Sequence, residues 1–169
     1  DSILWIGATD YIALNGDVVL WNDSIEVLSD AGKMETDTSN KNQRKLSFWG
    51  EAFWSRALKP QGFFDQVAGD SLIIMLRDTL VQQIEVCNNA HILVFIESDA
   101  DGVYENGNRS DADYALVRLD SLGEVLSMRL EEGVDGDVFS ILNEAGMPQP
   151  KTLNAYRSLR HLRPKIYID

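Results

Sequence analysis

The dipeptide Asn15-Gly16 stands between two short apolar segments, Tyr11-Ile12-Ala13-Leu14 and Asp17-Val18-Val19-Leu20-Trp21. Both residues tolerate positive φ, which a two-residue type I′ turn demands at both central positions. The pattern predicts a tight hairpin and makes the N-terminal third β. Ser2–Ile6 reads as a strand before it. Ile25–Leu28 reads as a third strand, ending at Asp30-Ala31-Gly32. Trp5 and Trp21 then fall on neighbouring strands, where large aromatics anchor packing across a sheet.

The middle of the chain changes character. Residues 33–45 (KMETDTSNKNQRK) are polar and rich in turn formers, and they predict a mobile surface loop. In Leu46–Leu58 the residues Phe48, Trp49, Ala52, Phe53 and Arg56 recur at helical spacing, and Pro60-Gln61-Gly62 closes the segment. Asp70–Asn89 carries an N-cap residue at Asp70 and a stripe of Ile73, Leu76, Leu80, Ile84 and Cys87, which predicts a second helix. His91–Glu97 (HILVFIE) is apolar and β-branched enough for a buried strand. Asp113–Asp120 and Glu124–Glu131 form a hairpin around Ser121-Leu122-Gly123, with Leu126, Met128 and Leu130 on one face. Short helices are expected from Asp137 to Ala145 and over Thr152–Arg163. The expectation is a single α+β domain over residues 1–169. Its mainly antiparallel sheet is built from the N-terminal hairpin and a central strand plus hairpin, packed with about four helices.

Directly after the apolar strand comes Glu97-Ser98-Asp99-Ala100-Asp101-Gly102-Val103-Tyr104-Glu105-Asn106-Gly107-Asn108. Oxygen-bearing side chains alternate here around a glycine, and hard cations such as Ca²⁺ take about six to eight oxygen ligands. Over these twelve residues the loop resembles the ion-binding loops of EF-hand and dockerin-like modules. It departs from them in having Glu97 first, Asn108 where a bidentate Glu usually sits, and strands rather than helices on both sides. The resemblance implies calcium as the cofactor, with Asp99, Asp101, the Val103 carbonyl and Glu105 as inner ligands and Asp111 or Asp113 closing the site. A solvated acidic turn, in which Asp-Gly and Asn-Gly supply only conformation, explains the same residues. Both readings stand on the sequence.

Charge narrows the partners. The 169 residues carry 15 Lys and Arg against 27 Asp and Glu, a net −12. That balance opposes binding to nucleic acid or anionic membrane, where clustered cations are needed. Residues 97–137 hold twelve of the acids against Arg109, Arg118 and Arg129, whereas Lys151, Arg157, Arg160, Arg163 and Lys165 make the C-terminal end basic. Such polarity predicts an internal salt-bridge seam or association of subunits. No apolar run approaches the roughly 20 residues of a spanning helix. Cys87 is the single cysteine, which rules out an internal disulfide and suits a small buried residue. His91 and His161 are too isolated for zinc, and no phosphate-cradling or nucleophile-elbow motif occurs. Asp1 in place of Met reads as a processed or cut chain.

Three classes follow. The first is a non-enzymatic interaction or ligand-binding domain of an extracellular or periplasmic protein, calcium-stabilised through residues 97–113, with a protein partner or a second copy bound. The second is a structural subunit of a larger viral or cellular assembly. The third is a hydrolase using carboxylates or a metal in the acidic region.

Overall fold

The structure, a computed structural model, describes residues 2–6, 11–22, 24–37, 39–59, 62–97, 104–147, 149 and 151–153. Nine strands fill it: β1 (Ser2–Ile6), β2 (Tyr11–Asn22), β3 (Ile25–Thr36), β4 (Gln43–Ala57), β5 (Phe64–Arg77), β6 (Leu80–Glu97), β7 (Tyr104–Leu119), β8 (Val125–Glu131) and β9 (Asp135–Ser140). The expected α+β architecture is therefore replaced by an all-β one, and the described residues contain no helix. The strands form one antiparallel sheet in sequence order from β1 to β8, and β9 pairs the first half of β7 on the edge where β8 pairs the second.

Asn15-Gly16 makes no hairpin. Both segments that it separates belong to the single strand β2, and Asn15 and Gly16 lie within that strand. Gly16 does take positive φ (+80°), followed by Asp17 at +30°, so the conformational preference is used for a bulge rather than a reversal of the chain. The interruption recurs at one level across five strands, at Asn15/Val18, Leu28/Ala31, Trp49/Ala52, Ala68/Ser71 and Cys87/Ala90. Gly50-Glu51 and Asn88-Asn89 occupy it with positive φ in β4 and β6. Bulges bend a strand and raise its twist, so this transverse row is where the sheet rolls. A Cβ at Gly50, φ +80°, would overlap the Asp30 side chain. Gly50→Val is expected to cost about 1–3 kcal/mol for the backbone conformation alone, read as a lowered midpoint in urea melts, and Gly50→Ala should cost less.

The two expected long helices are both strands. Leu46–Leu58 lies almost wholly in β4. Asp70–Asn89 is split between β5 and β6 by the two-residue turn Asp78-Thr79, where Asp78 adopts φ +56°. The polar loop is shorter than expected, because β3 continues to Thr36 and β4 begins at Gln43. Residues 135–140 are β9, not a helix. The helix expected over Thr152–Arg163 lies, from residue 154 on, outside the described residues. Four readings hold: the strand Ser2–Ile6, the strand over Ile25–Leu28 as the start of β3, the strand His91–Glu97 within β6, of which Ile92–Phe95 are buried, and the β7–β8 hairpin closed by Asp120–Glu124. In that hairpin Met128 and Leu130 pack on the core, whereas Leu126 is 71% exposed.

Two apolar clusters hold the sheet. The larger fills the inside of the roll with Phe48, Trp54, Leu72, Ile74, Ile84, Val86, Ile92 and Val117. The smaller lies on the opposite face, where Phe53, Leu93, Phe95 and Tyr104 are covered by Ile141 and Leu153. Neighbours such as Phe53 and Trp54, or Ile92 and Leu93, thus serve different cores. Gln66 fastens the covering segment: its Oε1 accepts from the Leu153 N–H at 2.8 Å, and its Nε2 donates to the Lys151 carbonyl at 3.3 Å. Glycines 32 and 107 sit under the aromatic rings of their cross-strand partners Phe48 and Phe139, which cover backbone that would otherwise lack a packed side chain.

Candidate functional site

The described part of the acidic segment does not gather into an ion site. Asp99, Asp101 and Val103 lie outside the described residues. Glu105 and Asp111 are six positions apart on the extended strand β7, a separation of about 20 Å at the rise of a strand. Asp111 is engaged elsewhere, with His91 Nδ1 at 2.5 Å across the β6–β7 ladder and Arg109 Nε at 4.0 Å. The Asp113 main-chain N–H donates to the Glu132 carbonyl, which continues the β7–β8 ladder. Among the described residues no three His, Cys, Asp or Glu side chains are placed to share a metal ion.

The roll instead builds an apolar cavity of about 280 Å³. β2 contributes Leu14, Leu20 and Trp21, β3 Ile25 and Val27, β4 Leu46 and Trp54, β5 Ile74 and Leu76, and β6 Val81, with Arg44, Asp78 and Thr79 as polar wall residues. Strand alternation turns most of these side chains inward, with Trp21 reaching the wall from the position next to Leu20, and the bulge row curves the sheet around them. The Trp21 indole is oriented by donating to the buried Glu26 carboxylate at 3.2 Å. Leu14, Leu20, Ile25, Leu46 and Leu76 are only partly buried, so the wall keeps apolar surface that the protein's own packing does not cover. Mostly apolar concavities with a few polar groups are the usual form of a small-molecule site.

A second cavity, of about 470 Å³, shares Ile25, Trp54, Thr79 and Val81 with the first and is also lined by Arg56, Leu80, Leu122 and Gly123. Arg56 Nη2 donates to Asp65 Oδ2 at 2.6 Å, and Asp65 Oδ1 accepts from the Phe95 N–H at 3.1 Å. Arg56 Nη1 lies 3.9 Å from Glu124 Oε1. Burial pushes the Asp65 carboxyl above the usual carboxylate range, against the opposing pull of Arg56 and of the Phe95 hydrogen bond. Burial likewise raises the Tyr104 phenol, with Glu124, Glu97 and Asp65 adding to it.

Sequence reasoning singled out Trp21 as a packing residue but not as part of a cavity wall, and it gave Trp54 no place there. A signal was present in the turn-forming pairs Gly16-Asp17, Gly50-Glu51, Gly69-Asp70 and Asn88-Asn89, each inside an otherwise apolar segment.

The architecture is that of a rolled antiparallel β-jellyroll. It is shared with LptH, the LptA-homologous periplasmic component of the lipopolysaccharide transport device of Pseudomonas aeruginosa. The two superpose with a TM-score of 0.54 at 15% identity, over 81% of this chain and 90% of LptH. At that identity the likeness is one of fold. No protein-family description and no curated protein matches the sequence.

Proposed function

We propose that this chain is a non-enzymatic periplasmic carrier module, which shields the acyl chains of a lipopolysaccharide-type lipid inside its rolled sheet as part of an envelope transport assembly. The observation that carries the reading is the apolar cavity between β2 and β6, in a fold shared with a periplasmic component of a lipopolysaccharide transport device. Each methylene removed from water contributes about 0.8 kcal/mol, so partly buried leucines around a concavity favour an acyl chain over a polar ligand. The sheet edges support the assembly part of the reading. β1 pairs only β2 among the described strands, and the opposite edge, formed by β8, β9 and the link between them, exposes Leu126, Val134 and Val138. Open edges with apolar side chains favour strand addition by a protein partner or a second copy.

Displacement of a fluorescent fatty acid tests the carrier reading. Purified lipopolysaccharide is expected to compete with the probe. Leu46→Glu places a carboxylate on the cavity wall and is expected to weaken probe binding by about tenfold or more, with the circular dichroism of a sheet protein retained. Lack of probe binding up to its solubility limit would sink the reading.

A further inference from the structure

Two residues that line the second cavity carry buried donors without an acceptor among the described residues. Trp54 Nε1 and Arg56 Nε are buried and find no acceptor among the described residues, and both residues line the cavity that adjoins the apolar one. Buried N–H groups are nearly always paired, because an orphaned donor forfeits its hydrogen bond to water. Two orphans on one wall, two positions apart on β4, are a site awaiting an acceptor. In this conformation both nitrogens are closed to water, so an acceptor reaches them after a wall side chain moves. Leu80 and Leu122, exposed by 48% and 82%, have room to do so.

The local charge selects the kind of acceptor. Arg56, the one cation among the described lining residues, faces Asp65 at 2.6 Å and Glu124 at 3.9 Å. An incoming phosphate or carboxylate would meet two carboxylates against one guanidinium, and like-charge juxtaposition opposes it. A neutral oxygen avoids that cost and still satisfies the N–H groups.

We propose that this second cavity binds the carbonyl oxygen of an ester- or amide-linked acyl chain, held by Trp54 Nε1–H and Arg56 Nε–H while the hydrocarbon continues past Trp54 into the apolar cavity. The inference rests on the acyl-carrier reading and adds the chemistry of the linkage: the protein recognises the acyl junction, not a charged headgroup.

Three matched amphiphiles test it on the intact chain: monolauroylglycerol, whose ester carbonyl is the proposed acceptor, dodecylglycerol, the ether that lacks it, and dodecyl phosphate. The ester is expected to bind about five- to tenfold more tightly than the ether, the margin of one good hydrogen bond. It should also shift the Trp54 indole N–H resonance in nitrogen-15 correlation spectra, whereas the ether should leave that resonance near its free position. Trp54→Phe, which keeps a ring and loses one of the two donors, should narrow the gap between ester and ether while leaving ether binding unchanged. Equal binding of ester and ether to the unsubstituted protein, or a stationary Trp54 resonance with ester bound, would overturn the proposal while leaving the carrier reading intact. Tighter binding of dodecyl phosphate than of the ester would overturn the choice of a neutral acceptor. Failure of all three amphiphiles to bind would remove the carrier reading as well.

Discussion

Arg56→Met is expected to destabilise the protein by about 3–5 kcal/mol at neutral pH, because it strands a buried carboxylate without its cation. Asp65 is 1% exposed and would retain the Phe95 N–H but lose the 2.6 Å bond from Arg56. The pH dependence gives the cause away. The folded-state pKa of Asp65 already lies above its ordinary value through burial, and loss of the guanidinium raises it further. Between the unfolded and folded pKa values the folded chain therefore holds more protons, so stability falls as pH rises through that window. The deficit of the variant should be greatest at neutral pH and shrink in mild acid, where Asp65 becomes protonated. Urea melts at the two pH values check this, and an equal deficit at both would mean that lost packing, not the stranded charge, is responsible. Adding Asp65→Leu to Arg56→Met should recover much of the loss, since an apolar pair of similar volume is often as stable as a buried ion pair.

Phe48→Ala is the second large effect, expected at about 3–5 kcal/mol. The ring is 1% exposed and lies over Gly32, where an added Cβ would sit 2.7 Å from its Cδ1. Its removal opens a cavity in the larger core and also uncovers the main chain of β3. Leu80→Ala makes the contrast. A helical stripe through residue 80 would place Leu80 in the core, with a cost of about 2–5 kcal/mol, whereas a side chain 48% exposed at the start of β6 should cost within about 0.5 kcal/mol. Parallel thermal melts of the two variants separate the sheet from the helical reading.

That contrast explains what was legible in the sequence. Strands with one dominant inward face, such as β8, or with a continuous apolar run, such as 91–97, could be read directly. β4 and β5–β6 misled because part of their length is buried on both faces. Phe48, Ala52 and Phe53 fall at helical spacing, yet Phe48 and Ala52 enter one core and Phe53 the other. Period two, written on both faces at once, imitates period 3.6 over a dozen residues. Asn15-Gly16 misled differently: the positive φ of Gly16 was legible, though its partner in that conformation is Asp17 and not Asn15, and whether such a pair reverses a chain or bends it depends on the neighbouring strand, which continues past it. The cavity was illegible for a related reason. Its wall takes one to four residues from each of five strands, and no local pattern binds them together.

The order of the strands has a consequence for how such a molecule forms and changes. Every ladder along the path from β1 to β8 joins neighbours in sequence, so each pairing closes a loop no longer than one turn, and low sequence separation favours fast assembly. Accretion can begin at a central hairpin and proceed outward, with the 85-residue tie from Gln66 to Lys151 drawn last. A meander of this kind carries no intrinsic stopping length. A hairpin gained or lost at either end changes the length of the rolled sheet and leaves the wiring of the remainder untouched.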